Sequence, residues 1–106
     1  MSTLRYADSA ENDLLDAWLY IAPDNPEAAD RIIEAIDREA RLLLIHPGMG
    51  RKRPELAAGL RSWPTSTRYI LFYFADTAGI TIARVLHHAR DAGAVENWPE
   101  TYEGKA

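Results

Sequence analysis

The sequence predicts an α+β domain of two layers, ordered β-α-α-β-β-β, with an N-terminal helical hairpin packed on a mostly antiparallel sheet. Three observations predict it. Apolar residues recur at helical spacing through the first half of the chain, from Ala10 to Leu44. The cluster Pro23-Asp24-Asn25-Pro26 interrupts that pattern and divides it into two helices. From Leu60 onward the period becomes extended, in three apolar segments punctuated by glycine and proline.

A short first strand is expected over Leu4 to Ala7, ended by Asp8-Ser9. Ala10, Leu14, Ala17, Trp18 and Ile21 then mark the buried stripe of the first helix, and Asp8 with Glu11 three positions later fits a capping pattern. Asn25 suits the N-cap of the second helix, and Pro26 suits its first position, where a missing N–H costs nothing. That helix buries Ala29, Ile32, Ile33, Ile36, Ala40, Leu43 and Leu44 and is roughly 30 Å long at 1.5 Å per residue. So short a turn between two amphipathic helices closes a hairpin. His46-Pro-Gly-Met-Gly50 ends it, and Arg51-Lys-Arg-Pro-Glu reads as a loop. Leu60 to Trp63 is a short strand; Arg68 to Ala75, apolar on both faces, belongs near the sheet centre. Asp76-Thr-Ala-Gly79 is the hairpin loop to a last strand, Ile80 to His88.

With 106 residues and 47% hydrophobic content the chain is expected to be a single domain, residues 1–106, with apolar material for one core. It has no cysteine, so the fold rests on packing without disulfides or thiolate metal sites. The N-terminus lacks a signal-peptide pattern and no apolar run approaches the roughly 20 residues of a membrane span, so a soluble cytoplasmic protein is expected. The net charge of −4 is polarised: −6 over residues 1–50, +5 over residues 51–90 and −3 over residues 91–106. A basic middle in an acidic chain suits an anionic partner, or pairs with the acids of the first half.

No cofactor or metal is expected. His87 and His88 are adjacent and should point to opposite faces of a strand, and His46 is remote. The serines carry no nucleophile motif, and Gly48-Met-Gly50 precedes Arg-Lys-Arg rather than a helix start, so it is a turn and not a phosphate loop. What remains is the cationic group of Arg51, Lys52, Arg53, Arg61, Arg68, Arg84 and Arg90, which could contact phosphates or stabilise developing charge. Arg84, among Ile82, Val85 and Leu86, is expected to be fixed by a helix carboxylate, because a buried charge needs a partner. Arg61 and Arg90 flank the sheet and should be more accessible. His87 should make a fixed hydrogen bond at the strand end, and Trp98 should anchor the tail or contact a partner.

Several motifs, in order and spacing, give the chain a likeness that covers almost its whole length. They are Ser9 with Asp13-Leu14, Tyr20-Ile-Ala with Asp24-Asn-Pro-Glu-Ala-Ala-Asp30, Leu43 to Pro47, Gly50-Arg-Lys-Arg-Pro-Glu-Leu56, Gly59-Leu-Arg-Ser, Tyr69 to Tyr73, Arg84-Val-Leu-His87 and Ala89-Arg-Asp91. In these the chain resembles the ParE branch of the RelE/ParE toxin superfamily. The resemblance implies a non-enzymatic toxin that inhibits DNA gyrase, is neutralised by a ParD-like antitoxin, and meets operator DNA only through the antitoxin complex. Arg84, His87, Arg90, Val95 and Trp98 are then the residues expected to contact the target. The related RelE toxins cut mRNA in the ribosome, and that alternative would use Arg61, His87 and Arg90. Its C-terminal tyrosine has no counterpart just after Arg90, where Ala92 to Glu96 stands, and Tyr102 is too distant to map, which favours the gyrase reading. An inactive toxin that retains only antitoxin binding is the third possibility.

Overall fold

A computed structural model describes residues 2–90, 92–95 and 98. The elements are β1 (Thr3–Tyr6), α1 (Asp8–Ile21), α2 (Pro26–Ile45), β2 (Arg51–Lys52), β3 (Leu60–Pro64), β4 (Tyr69–Asp76) and β5 (Gly79–His87), followed by a single 3₁₀ turn at Ala92–Ala94. The five strands form one sheet in the order β1-β5-β4-β3-β2. β1 runs parallel to β5 and every other pairing is antiparallel. β1 and β2 lie at opposite edges, so the helical hairpin that joins them carries the chain across the sheet, and β5 returns to lie parallel beside β1.

The predicted order is present with strand limits shifted by about one residue, and with one strand more. Arg51 and Lys52, expected in a loop, pair with Ser62 and Arg61 as β2. Two residues leave no alternating pattern to read; the backbone of β3 recruits them, and the pairing continues with Arg53 N–H on the Leu60 carbonyl at 2.8 Å.

The second helix starts as its sequence dictates: the Asn25 side chain accepts from the Ala28 N–H at 3.1 Å with Pro26 behind it. The first does not. Ala7 occupies the N-cap without a side-chain cap, and Asp8 is already helical. The reason is that Ala7 N–H still bonds to the Ile82 carbonyl at 2.9 Å, so the chain leaves the sheet one residue before Asp8 could cap. Asp8 and Glu11 act instead as acids in the first turn, where the helix dipole favours them.

Apolar residues divide between the two faces of the sheet rather than forming one core. Ala10, Ile36, Ala40 and Leu43 of the helices pack on Leu71, Tyr73, Ile80, Ile82 and Val85. The opposite face gathers Leu60, Phe72, Phe74, Ala83 and Leu86. It is covered by Leu56 and Ala57 from the β2–β3 connection and by Ala92, Val95 and Trp98 from the C-terminal segment. This is what a central strand apolar on both sides requires. Phe72 and Trp98 meet with ring centroids 5.3 Å apart.

The β4–β5 turn is as expected: Asp76 Oδ1 accepts from the N–H groups of Ala78 and Gly79 at 2.7 and 3.1 Å. Gly79 has φ 141°, and a Cβ there would collide with the backbone of Thr3.

Candidate partner-binding site

β1 pairs with β5 only as far as Ile82, so from Ala83 to His87 β5 keeps β4 on one side and has no strand on the other. Helix α1 takes that place through its side chains. Ser9 Oγ donates to the Ala83 carbonyl at 2.8 Å, and Asp13 Oδ2 accepts from the Val85 N–H at 2.9 Å. Asp13 also holds the Arg84 guanidinium in a two-point pair, with Nε 2.7 Å and Nη2 3.0 Å from its two oxygens. The hydrogen bond to Asp13 raises the Arg84 pKa, against burial, and the charge of Asp13 adds to it. A helix carboxylate does fix Arg84, whose side chain remains 15% exposed. A register shift between Phe72 and Tyr73 re-aims this stretch of β5 toward the helix.

Beyond Val85 the helices and the sheet part to form a groove. One hollow of about 300 Å³ is lined by Tyr20, Ile21, Ile32, Arg68, Tyr69 and His87. A smaller one of about 150 Å³, sharing Tyr69 and His87, includes Asp13, Asp16, Ala17 and Arg90. Its floor is aromatic: His87 lies edge-on to Tyr69 with ring centroids 5.5 Å apart. Burial raises the Tyr69 phenol above its ordinary value of 10.0, and Tyr20 adds to the shift. Asp16 and Arg90 line the smaller hollow and Arg68 the larger. Next to it α1 exposes Leu15, Leu19 and Tyr20, the last at 82%. Leu15 and Leu19 stand one turn apart on the outer side of α1 and Tyr20 on the groove side, and exposed apolar surface on a helix that already buries another face calls for a partner.

His87 makes the fixed hydrogen bond expected of it: Nδ1 accepts from the Ala89 N–H at 3.2 Å, which in the neutral ring leaves the proton on Nε2. The two histidines do not point apart. β5 ends at His87, Arg90 N–H turns back to the His87 carbonyl at 2.9 Å, and the rings of His87 and His88 stack at 4.6 Å. Strand alternation does not extend through a turn, which is why the two-face expectation fails. Among the described residues no group of three or more His, Cys, Asp or Glu could hold a metal ion.

Arg61 stands apart. Its Nη1 donates to the carbonyls of Gly48 and Gly50 at 3.3 and 2.7 Å, pinning the loop after α2. Tyr73 pins the same loop by donating to the Pro47 carbonyl and accepting from the Gly50 N–H, at 2.8 and 2.9 Å. In the register, Arg61 is level with Tyr73 while His87 is level with Tyr69, two strands away. Four residues along and two strands across correspond to roughly 16 Å. His87 and Arg90 therefore share the groove, while Arg61 stands apart from them with its guanidinium turned to the loop after α2. Val95 and Trp98 pack on the other face of the sheet. Asp91 and Tyr102 lie outside the described residues. Asp13 and Tyr69, which build the groove, carry no mark of a site in the sequence; the half-buried Arg84 is the signal that a carboxylate must face it.

A helical hairpin set across a five-stranded sheet, with an aromatic groove at one end, defines a small α+β domain. Its family is given by a profile described as "ParE toxin of type II toxin-antitoxin system, parDE", which matches residues 4–92. The chain belongs to the ParE toxin family. Among solved structures, one titled "Chromosomal ParDE TA system from P. aeruginosa" superposes with a TM-score of 0.69 at 21% identity, over 82% of this chain and 96% of that one. That likeness is one of fold. No curated protein sequence matches.

Proposed function

We propose that this toxin is held inactive by a ParD-like antitoxin and, when released, inhibits DNA gyrase. The observation that carries the antitoxin half is the hydrophobic surface α1 leaves exposed: Leu15 and Leu19 one turn apart on its outer side, and Tyr20 at the Tyr69–His87 groove. An amphipathic antitoxin helix can lay its apolar face there, with strand addition at a sheet edge. The gyrase half draws on family membership, and the separation of Arg61 from His87 and Arg90 speaks for binding over RNA cleavage. On this reading the exposed corner from His87 to Arg90 is the target surface, with Val95 and Trp98 holding the following segment in place. Arg84 supports that corner from inside through Asp13. Operator DNA is met only through the antitoxin complex.

The test is a supercoiling assay. Purified toxin added to DNA gyrase and relaxed plasmid should block supercoiling, and an equimolar ParD-like antitoxin should restore it. Unimpaired supercoiling with excess toxin, alongside cleavage of ribosome-bound mRNA, would reject the reading.

A further inference from the structure

We propose that the β2–β3 end of the sheet is a docking site for a short, extended acidic segment of a partner protein. The inference rests on the toxin-antitoxin reading only for the identity of that partner. Lys52 lies directly opposite Arg61 in the antiparallel pairing, so two cations share one face of the strand pair. Like charges at such a position destabilise the pair. No carboxylate relieves them among the described residues: Glu55, the acid closest in sequence, is bound to Arg53 at 2.7 Å. Arg53 itself points to the opposite face, reaching Ser62 Oγ at 3.2 Å and lying over the Phe72 ring. Arg61 is held in place by two backbone carbonyls, so its charge is pre-positioned.

The two cations border a concavity of about 260 Å³ completed by Pro54, Gly59 and Leu60. Gly59, at φ 79°, leaves its outer side open, with only the Phe74 ring within 4 Å of where a Cβ would stand. β2 is the outermost strand on this side of the sheet. A short, basic edge strand discourages pairing with a second copy of itself, and a strand bearing carboxylates removes the repulsion while adding backbone hydrogen bonds. Protein is favoured over nucleic acid because only two cations line a hollow that is otherwise Pro54, Gly59 and Leu60. The −6 of the first fifty residues further opposes a long polyanion.

The experiment titrates the ¹⁵N-labelled full chain with a capped synthetic peptide of alternating Val and Glu, its Val/Gln counterpart, and a short single-stranded oligonucleotide. The inference predicts that the Glu peptide alone shifts the amide signals of Lys52, Gly59 and Arg61, and that added salt or Lys52→Glu abolishes the shifts, the substitution also raising the thermal midpoint slightly as the repulsion with Arg61 is relieved. The same variant should bind a ParD-like antitoxin about tenfold more weakly, the loss falling mainly on the association rate. Equal shifts with both peptides, no shift with either, or tighter binding of the oligonucleotide would overturn it. If the antitoxin binds Lys52→Glu as tightly as the parent, the acidic segment is not the antitoxin's, and the inference fails while the antitoxin reading stands. If it binds neither protein, that reading fails and the peptide titration still decides the site.

Discussion

Asp13 is the residue on which most depends: one carboxylate, 9% exposed, satisfies both a buried arginine and a strand N–H. Removing it leaves an unpaired charge and an unpaired donor, so Asp13→Ala should cost about 3 kcal/mol in urea denaturation. Asp13→Asn, which keeps an acceptor for Val85, should cost roughly half that. Tyr6 supplies a pH prediction. Its hydroxyl donates to Asp37 at 2.8 Å, and burial first, then Asp37, push its pKa far above the ordinary 10.0. Because the folded state holds the proton more tightly, its contribution is complete below pH 10 and declines as the unfolded chain ionises above it. Stability should fall above pH 10, and Tyr6→Phe should flatten that part of the curve. At the acid end Glu39 behaves oppositely. Burial opposes its ionisation, but bonds from Ser66 and Trp63 outweigh burial and lower its pKa below 4.5, so its contribution is lost as the pH falls below that value. At this scale the sequence revealed that Arg84 needs a carboxylate but not which one, because Asp13 looks like any polar residue of an amphipathic helix. It also left open what Arg61 does, since carbonyl acceptors in a loop leave no mark on side-chain type.

Elements were legible where they carried a period. Asn25-Pro26 announced α2, and the double-sided apolarity of β4 placed it at the sheet centre. β2 was not legible, because two residues hold no pattern and pairing with β3 decides them. Nor was the second apolar cluster, whose cover comes from an irregular segment instead of a helix. That cover has consequences. Trp98 packs on Phe72 from a stretch with only one helical turn, so Trp98→Ala should destabilise by about 1–3 kcal/mol, short of the cost of a fully buried tryptophan. Truncation after residue 90 must therefore be read with a stability measurement beside any toxicity assay. On the hairpin, Leu19 is 53% exposed, so Leu19→Lys should leave the thermal midpoint within about 1 °C while weakening antitoxin binding more than tenfold if it lies at the centre of the contact.

For the whole molecule, charge and shape agree. The acids lie mainly in the helical half and the cations in the sheet half, so the two sides offer different surfaces: exposed apolar surface on α1, and basic positions along β2, β3 and the end of β5. No helix among the described residues is long and apolar enough to cross a membrane. Fold and family were legible together because the order of motifs runs through the entire hairpin and sheet. The target was not, since a binding surface is composed of exposed side chains that local structure does not require. The most direct test of the central claim is pulse-labelling of DNA and protein synthesis in bacteria just after this chain is induced without antitoxin. Gyrase inhibition predicts that DNA synthesis falls first while translation continues; an early fall in translation with replication intact would contradict it.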